Sequence, residues 1–254
     1  MYSQPLVTCI IPTKDRHDKA IKAIKSVISQ DYPKIEVVVI DDGSETPFSY
    51  DFPYEHDRDV RVIRVDKSIG GAKARNLGVK LSRGLYYCFL DDDDEYLPGK
   101  LKILVELLNE HPECHAAVGE TIIFDTMTGK VFTNKVVQFS PEYNTKRNRV
   151  HMNSTLIRSS IKDKISFLGS LAKFQDTQYN TELCYKYDIV YTPTPVALWN
   201  VNWSNDQVTR VKKTFRNTAN YYKLVKYFAV DMEVPPRLLH WHLFKLISFA
   251  LRLK

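Results

Sequence analysis

Short apolar segments alternate with amphipathic ones through the first hundred residues. Residues 6–11 and 35–40 are runs of β-branched and other apolar side chains, which are typical of buried parallel strands. Between the two runs, apolar residues recur at helical spacing: Ala20, Ile21, Ile24, Val27 and Ile28. Asp18 falls in the first turn of that helix, where a carboxylate is favourable. The pattern predicts a strand–helix–strand unit.

The unit then repeats. Residues 61–65 and 85–90 are two further predicted strands, and the helical face between them consists of Ala74, Leu77, Gly78 and Leu81. Pro98 opens a third helix, whose apolar face is Leu101, Leu104, Val105 and Leu108. Alternating strands and helices predict an α/β fold with a doubly wound, mostly parallel sheet. Such sheets bind ligands beyond the carboxyl ends of their strands.

The period of the pattern changes after Cys114. Residues 116–124 and 130–139 alternate as two strands of a hairpin, and a Thr-Met-Thr-Gly turn at 126–129 separates them. A polar, basic stretch follows through Arg149. We expect a second half of the domain to begin here.

The excess of positive charge is concentrated at the C-terminal end of the chain. A hydrophobic content of 44% with 26% charged residues is ordinary for a globular protein and argues against disorder. The net charge is +6, and residues 201–254 carry ten Lys or Arg against three Asp or Glu. So local an excess favours contact with an anionic surface, and without a recognition motif it predicts no nucleic-acid partner.

The cysteines and the N-terminus predict a compartment. The four cysteines are scattered without a C-x-x-C pair, which favours reduced, buried thiols over a zinc site: Cys9, Cys88, Cys114 and Cys184. Residues 1–5 are not a basic start followed by an apolar stretch, so no secretory signal is expected. Both observations predict a cytoplasmic location.

Four consecutive aspartates, Asp91 to Asp94, follow the strand at 85–90 directly. They would repel one another unless a cation or hydrogen-bond donors offset their charge, and carboxylate oxygens suit Mg²⁺ or Mn²⁺. In an extended segment alternate side chains share a face, so Asp91 and Asp93 are expected to point together. The alternative is a solvated acidic turn or a cap for the helix after Pro98.

Two other stretches fall at the same predicted sheet edge. Asp41 and Asp42 end the strand at 35–40, although Asp-Gly-Ser is also common turn chemistry. Residues 68–76 (SIGGAKARN) form a glycine-rich entry to a helix, with backbone N–H groups and two cations available for an anion. Their spacing fits neither a Walker loop nor a dinucleotide fingerprint. Each stretch alone is weak evidence for a binding site, but the order of the stretches along the chain is more specific evidence.

Five ordered blocks resemble the family 2 inverting glycosyltransferases with the GT-A fold, over roughly residues 6–200. The blocks are 10–16 (IIPTKDR), 26–33 with 36–44 (SVISQDYP, EVVVIDDGS), 74–76 (ARN), 89–94 (FLDDDD) and 97–101 (LPGKL). The resemblance implies a metal-dependent transfer of a hexosyl group from a nucleotide-sugar, first of all a UDP-sugar, with Mn²⁺ or Mg²⁺ as cofactor.

We expect the chain to have three parts. With the change of period after Cys114, the resemblance implies a nucleotide-sugar-binding half at residues 1–112 and an acceptor-binding half of the same GT-A domain at 113–205. The charge and apolar pattern of residues 206–254 predict a basic helical C-terminal extension. The implied acceptor is a hydroxyl of a glycan or a lipid-linked oligosaccharide, as in bacterial cell-envelope polysaccharide biosynthesis.

Donor-binding residues are assigned by position in the family pattern. Those where the family holds base and ribose are Pro12, Thr13, Arg16 and Asp42, with Asp42 the partner of the base. The nucleotide-contacting glycine/ARN segment supplies Gly71 and Arg75. The D-x-D signature falls on Asp91, Asp92 and Asp93. Its last aspartate meets the metal, so Asp93 is the expected ligand, with Asp91 and Asp92 supporting it through water or ribose.

The resemblance places the catalytic base at Asp176. The family tends to carry Glu-Asp at the start of a helix, and here residues 174–177 read Phe-Gln-Asp-Thr, so Gln175 replaces the first acid. An inverting transfer is a single displacement that needs one base and one metal. Without the resemblance, Asp176 would be a helix cap. Other departures are Lys14-Asp15, where the family has Tyr-Asn, and Ser68, where asparagine is common.

Two later regions carry hypotheses. Residues 199–206 (WNVNWSND), followed by Arg210, Lys212 and Lys213, fall where related enzymes have a mobile segment. We hypothesise that this segment closes over the diphosphate of the donor; the alternative is a solvated basic loop.

Residues 237–254 predict an interfacial helix, because the segment is too short and too charged to span a membrane. Such a helix would make the protein peripheral on the inner face of the cell membrane. The alternatives are core packing and a dimer contact.

Two rival functions follow from departures in the pattern. A non-catalytic nucleotide- or glycan-binding relative is supported by Gln175. A sugar-phosphate nucleotidyltransferase would need a glycine-rich phosphate loop directly after the first strand, and residues 12–16 (PTKDR) contain no glycine.

Overall fold

The computed structural model describes residues 4–51, 58–135, 150–202, 215–235 and 239. Most of the hypothetical closing segment, residues 203–214, therefore lies outside the described residues. So does the expected interfacial helix at 237–254, apart from Leu239.

Four parallel strands form the first half of the sheet, in the order β3-β2-β1-β4. They are β1 (Val7–Thr13), β2 (Ile35–Asp41), β3 (Arg58–Arg64) and β4 (Tyr86–Phe89). Helices α1 (His17–Ile28) and α2 (Gly71–Leu81) connect β1 to β2 and β3 to β4. The predicted strand–helix–strand units are confirmed.

The second half of the sheet is mixed. Its elements are β5 (Glu95–Tyr96), α3 (Lys100–Glu110), β6 (Ala116–Asp125), β7 (Val131–Asn134), β8 (Thr155–Arg158), α4 (Gln175–Lys186) and β9 (Ile189–Val201). Strand β8 runs antiparallel between β4 and β6, and β9 pairs parallel with β6. The predicted hairpin is present as β6 and β7.

Helices cover both faces of the sheet, as a doubly wound fold requires. On one face α1 and α3 contribute Ala20, Ile24, Leu101 and Leu104 to one buried cluster. On the other face α2 and α4 meet β1 and β4 through Ala72, Val79, Tyr179 and Leu183. Each fully buried aliphatic side chain contributes roughly 1.5–3 kcal/mol to this packing. The α/β fold class is confirmed.

A further helix follows the sheet. Helix α5 (Phe215–Lys226) runs into a π-helical turn, Tyr227–Asp231, so the expected C-terminal helical extension is present in part. Its apolar side packs against Leu171 in a separate cluster with Tyr221, Leu224, Val225 and Phe228. Within the described ranges, no helix has the length and apolar character needed to cross a membrane.

Candidate active site

A cleft of about 540 Å³ opens at the carboxyl ends of β1, β2 and β4. It is lined by every site residue expected from the sequence: Pro12, Thr13, Arg16, Asp42, Gly71, Arg75, Asp91, Asp92, Asp93 and Asp176. Pro12 and Thr13 end β1, the other residues before α4 come from the loops after β1, β2 and β4 and from the start of α2, and Asp176 comes from the first turn of α4. The fold therefore brings both halves of the chain to one cleft.

The aspartate run forms a turn, in which the Asp94 N–H donates to the Asp91 carbonyl at 3.1 Å. It is not the extended segment that we expected, because Asp94 is held from two sides. The side chains nevertheless alternate in exposure. Those of Asp91 and Asp93 are 27% and 23% exposed, and that of Asp92 is 7% exposed. Asp91 and Asp93 are thus the more accessible carboxylates.

Arg16 and Thr13 bind the aspartate run directly. Arg16 Nη1 lies 2.9 Å from Asp92 Oδ1 and 3.2 Å from Asp93 Oδ2. The Thr13 hydroxyl donates to Asp92 Oδ2 at 2.8 Å, and Thr13 is buried. Desolvation raises the pKa of Asp92 and of Asp93, and the positive charge of Arg16 opposes both shifts. The two residues assigned to the donor therefore also hold the acidic turn.

Asp94 is a structural residue, although it does not cap α3, which is preceded by Gly99 in a left-handed conformation. Its Oδ1 accepts from the Asn200 N–H at 2.8 Å and its Oδ2 from Asn153 Nδ2 at 2.5 Å. Burial raises the pKa of Asp94 well above its usual value. Asp94 therefore joins β9 and the turn at Asn153 to the aspartate run.

The glycine-rich helix entry was expected to offer its N–H groups to a ligand anion, but Asp42 occupies two of them. Its carboxylate accepts from the Ile69 N–H at 2.6 Å, the Gly70 N–H at 3.0 Å and the Ser68 hydroxyl at 2.7 Å. These two N–H groups are therefore not free for a ligand anion, because Asp42 is the anion that they bind. Asp42 Oδ1 accepts only one of these bonds, so it retains a lone pair that faces no other donor among the described residues.

Arg75 contacts both the aspartate run and the first residue of α4. It forms an ion pair with Asp91, and its Nη1 lies 3.5 Å from Gln175 Oε1. A Cβ at Gly71 would come within 3.1 Å of that Nη1, so glycine leaves the room that the guanidinium occupies. Gln175 Nε2 donates to the Leu171 carbonyl at 2.8 Å. A glutamate could not donate this bond, which gives a structural reason for the glutamine.

Asp176 faces the cleft, where it is exposed. Its carboxylate makes no hydrogen bond to any part of the chain that the structure describes, so its lone pairs are accessible. Desolvation by the protein around it raises the pKa of Asp176; the Arg75 guanidinium opposes the shift and the Asp91 carboxylate adds to it. An exposed carboxylate with a raised pKa is suited to accept a proton from a bound hydroxyl.

Sequence reasoning gave some other lining residues no role in donor binding, and it placed Trp199 only in the hypothetical closing segment. Lys14, Lys173 and Trp199 also line the cleft. Trp199 packs on the His151 ring at 4.7 Å between centroids, and desolvation lowers the pKa of His151 to about 4. Lys14 was noted only as a departure from the family pattern. For His151 no local signal exists, because its neighbour Trp199 is 48 positions away.

The carboxylates fit a divalent cation. Seven aspartates and four Lys or Arg residues line the cleft, so the described residues leave an excess of negative charge. No group of three or more His, Cys, Asp or Glu side chains in the described ranges could hold a metal alone. Mg²⁺ and Mn²⁺ commonly use one or two protein carboxylates and take further oxygens from substrate phosphates. Asp93 and Asp91, both partly exposed, provide such oxygens.

A family model described as "Glycosyl transferase family 2" matches residues 8–163. The chain belongs to glycosyltransferase family 2. Relatives in the family include an uncharacterized glycosyltransferase of Rickettsia bellii, 37% identical over 106 residues, which are 41% of this chain and 15% of that protein. The putative colanic acid biosynthesis glycosyl transferase WcaA of Escherichia coli is 35% identical over 108 residues, 41% of this chain and 38% of WcaA. The chain thus spans well under two thirds of these relatives.

Two solved structures of glycosyltransferases share the fold. S. aureus TarS (residues 1–349) in complex with UDP-GlcNAc has a TM-score of 0.69 at 19% identity, over 89% of this chain and 66% of TarS. The mannosyltransferase PcManGT from Pyrobaculum calidifontis, in complex with GDP-Man and Mn²⁺, has a TM-score of 0.63 at 19% identity, over 98% of this chain and 74% of PcManGT. At this identity the likeness confirms the GT-A fold of the family 2 domain.

Proposed function

We propose that this family 2 chain is a metal-dependent inverting glycosyltransferase. It transfers a hexosyl group from a nucleotide-sugar to a hydroxyl of a glycan or a lipid-linked oligosaccharide. A UDP-sugar is the donor that we expect. One observation carries the proposal: an exposed carboxylate without a hydrogen-bond partner in the described chain, Asp176, shares a cleft with Arg75 and the aspartate run. Relatives named for polysaccharide biosynthesis support the acceptor class. Cytoplasmic location and membrane contact are part of the proposal.

The arrangement of the cleft supports one direction for the donor. Thr13, Arg16 and Asp42 surround the ends of β1 and β2, where base and ribose would lie, with Asp42 Oδ1 free to accept from the base. Asp91 and Asp93 come next, beside the diphosphate. The sugar would then lie toward Arg75 and Asp176. This order sets the anomeric carbon near the proposed base.

The charge of the cleft supports a divalent cation between carboxylates and diphosphate. A nucleoside diphosphate brings about two further negative charges into a cleft where aspartates outnumber cations. We propose that Asp93, with Asp91 beside it, holds Mn²⁺ or Mg²⁺ there. When bound, the metal ion supplies Lewis-acid stabilisation of charge on the diphosphate oxygens. Arg75 and Arg16 provide positive charge from the protein itself.

The chemistry is a single displacement. Asp176 takes the proton of the acceptor hydroxyl as its oxygen bonds to the anomeric carbon of the donor. The bond from that carbon to the diphosphate oxygen breaks, and its electron pair leaves with the nucleoside diphosphate. Arg75, which pairs with Asp91 beside the diphosphate position, stabilises the charge that develops. No covalent intermediate forms, so the configuration at the carbon inverts.

Nucleotide release tests the proposal. The full chain is incubated with UDP-glucose, UDP-N-acetylglucosamine or GDP-mannose, with Mn²⁺ or with EDTA, and released UDP or GDP is measured by chromatography. We expect Mn²⁺-dependent release from at least one donor, with water as slow acceptor. UDP or GDP that raises the unfolding temperature without any release would instead support the non-catalytic relative, because binding alone stabilises the folded state.

A further inference from the structure

Helix α5 lies against the segment that leads into the helix of Asp176. The apolar side of α5 and the residues after it bury Leu171, with Leu168 and Phe174 packed at the edge of the same cluster. The segment from Leu168 to Phe174 ends where α4 begins, two residues before Asp176. The C-terminal helix therefore contacts the part of the chain that sets the direction of the proposed base.

Phe174 is the residue at which that direction is set. It has φ 67° and ψ 21°, a left-handed conformation that is rare for a bulky side chain. Its carbonyl accepts the first helical bond of α4, from the Gln178 N–H at 2.9 Å. Such a conformation costs on the order of 1–2 kcal/mol and persists only where surrounding contacts hold it.

Two neighbouring residues of α5 supply those contacts. The Tyr221 ring meets the Phe174 ring edge-on, with centroids 5.1 Å apart and planes at 73°. Asn220 Oδ1 accepts from the Ala172 N–H at 3.3 Å. Asn220 and Tyr221 are both buried. An aromatic pair of this geometry contributes about 0.5–1.5 kcal/mol beyond area burial, which is comparable to the strain at Phe174.

A third contact fixes the body of α4. The Tyr227 hydroxyl donates to Glu182 Oε2 at 2.6 Å, and Glu182 also accepts from Gln178 Nε2 at 2.9 Å. Gln178 Oε1 in turn accepts from the Leu168 N–H at 3.0 Å. The C-terminal helix thus holds both the entry and the second turn of α4, while the cleft side of Asp176 stays open.

We propose that Tyr221 and Asn220 are positioning residues for Asp176. By holding Phe174 left-handed they aim the first turn of α4 so that Asp176 faces Arg75 and Asp91. The inference rests on the proposed function, in which Asp176 is the base. It makes the C-terminal helix part of the catalytic unit, although the helix contributes no lining residue to the cleft among those described.

The test compares Tyr221→Leu, Asn220→Ala and the conservative Tyr221→Phe in the full chain. Val27→Ala, in the buried cluster on the other side of the sheet, serves as a control for general loss of stability. For Tyr221→Leu we expect the rate of nucleotide release at saturating donor to fall about tenfold or more, since small misplacement of a reacting group is that costly. The Kd for UDP with Mn²⁺ should stay within about twofold, and Tyr221→Phe should retain the wild-type rate.

Hydrogen exchange gives a readout that does not depend on turnover. Tyr221→Leu should speed amide exchange in residues 174–178 about tenfold over exchange in α1, whereas Val27→Ala should not. Unchanged exchange at 174–178, or a release rate that falls no more than in Val27→Ala, would overturn the positioning role. If Asp176→Asn is inactive while Tyr221→Leu is not, only this inference fails. If Asp176→Asn keeps the wild-type rate, the proposed base fails as well.

Discussion

Glu36 offers a sharp test of what holds the sheet together away from the cleft. It is fully buried near the amino end of β2, at the opposite end of the strand from Asp42. Its Oε1 accepts from Arg61 Nη1 at 2.7 Å and from Arg83 Nε at 2.6 Å. Its Oε2 accepts from the Thr8 hydroxyl at 2.6 Å and from the Arg83 N–H at 3.0 Å.

Glu36→Gln keeps the shape of the side chain but turns one oxygen into an NH₂ group that faces two donors. Hydrogen bonds to charged groups contribute about 1.5–3 kcal/mol each when buried. The side chains of Arg61 and Arg83 are 28% and 54% exposed and can rehydrate, which reduces the loss. We therefore expect the free energy of unfolding to fall by about 2–3 kcal/mol at pH 7.

The contribution of Glu36 to the unfolding free energy should also depend on pH, and the shift of its pKa gives the direction of that dependence. Desolvation opposes ionisation, but the hydrogen bonds from Thr8, Arg83 and Arg61 prevail and lower the pKa of Glu36 in the folded protein. Its contribution is therefore present above the unfolded-state pKa and is lost as the pH falls through the folded-state pKa. The difference between wild type and Glu36→Gln should narrow as the pH falls from 7 to below about 4.3.

Urea unfolding followed by tryptophan fluorescence measures this difference at each pH. Asp59→Asn is the matched control, because within the described residues Asp59 pairs with Arg83 alone, at a partly exposed site. It should cost less than about 1 kcal/mol. A Glu36→Gln difference that is below about 0.5 kcal/mol at pH 7, or that is the same at pH 7 and at about pH 3, would refute the reasoning.

Two further predictions use the same unfolding assay. Gly78→Ala should lower the unfolding free energy by about 1–3 kcal/mol, because its Cβ would lie 2.3 Å from Ile10 Cγ2 where α2 packs on β1; an unchanged urea midpoint would contradict this. Asp94→Ala should lower the unfolding free energy by roughly 2 kcal/mol or more, since it leaves the Asn153 amide without the carboxylate that it bonds. Asp93→Asn should leave the unfolding free energy nearly unchanged and should weaken Mn²⁺ binding, measured by calorimetry, about tenfold or more. Equal effects of the two variants on stability would contradict the separation of roles.

Most of the first half of the fold could be predicted from local patterns. All seven residues of β2 are buried, and its largely apolar sequence, interrupted by Glu36, indicates a strand covered on both faces. The aspartate run lies at the edge where the end of the preceding strand puts it. These predictions succeeded because each depends on neighbours within a few positions.

Contacts between distant segments could not be predicted in the same way. The bond from the Asn200 N–H to Asp94 joins residues 106 positions apart, and no periodicity signals it. The N–H groups of the glycine-rich entry were expected to be available for a ligand anion, but two of them bind the Asp42 carboxylate. Likewise the amphipathic pattern of α5 indicates a buried face without saying that Leu171 and Phe174 cover it. Which polar group meets which is decided by tertiary packing.

The role of Asp176 is the central claim, and its most direct test is the rate of nucleotide release by Asp176→Asn. The amide keeps the shape of the side chain but cannot take the acceptor proton, so the rate at saturating donor and Mn²⁺ should fall by about 10²- to 10⁴-fold. Asp59→Asn, remote from the cleft, should keep the wild-type rate, and both variants should bind UDP with Mn²⁺ as the wild type does. Release by Asp176→Asn within about tenfold of the wild-type rate would contradict the account.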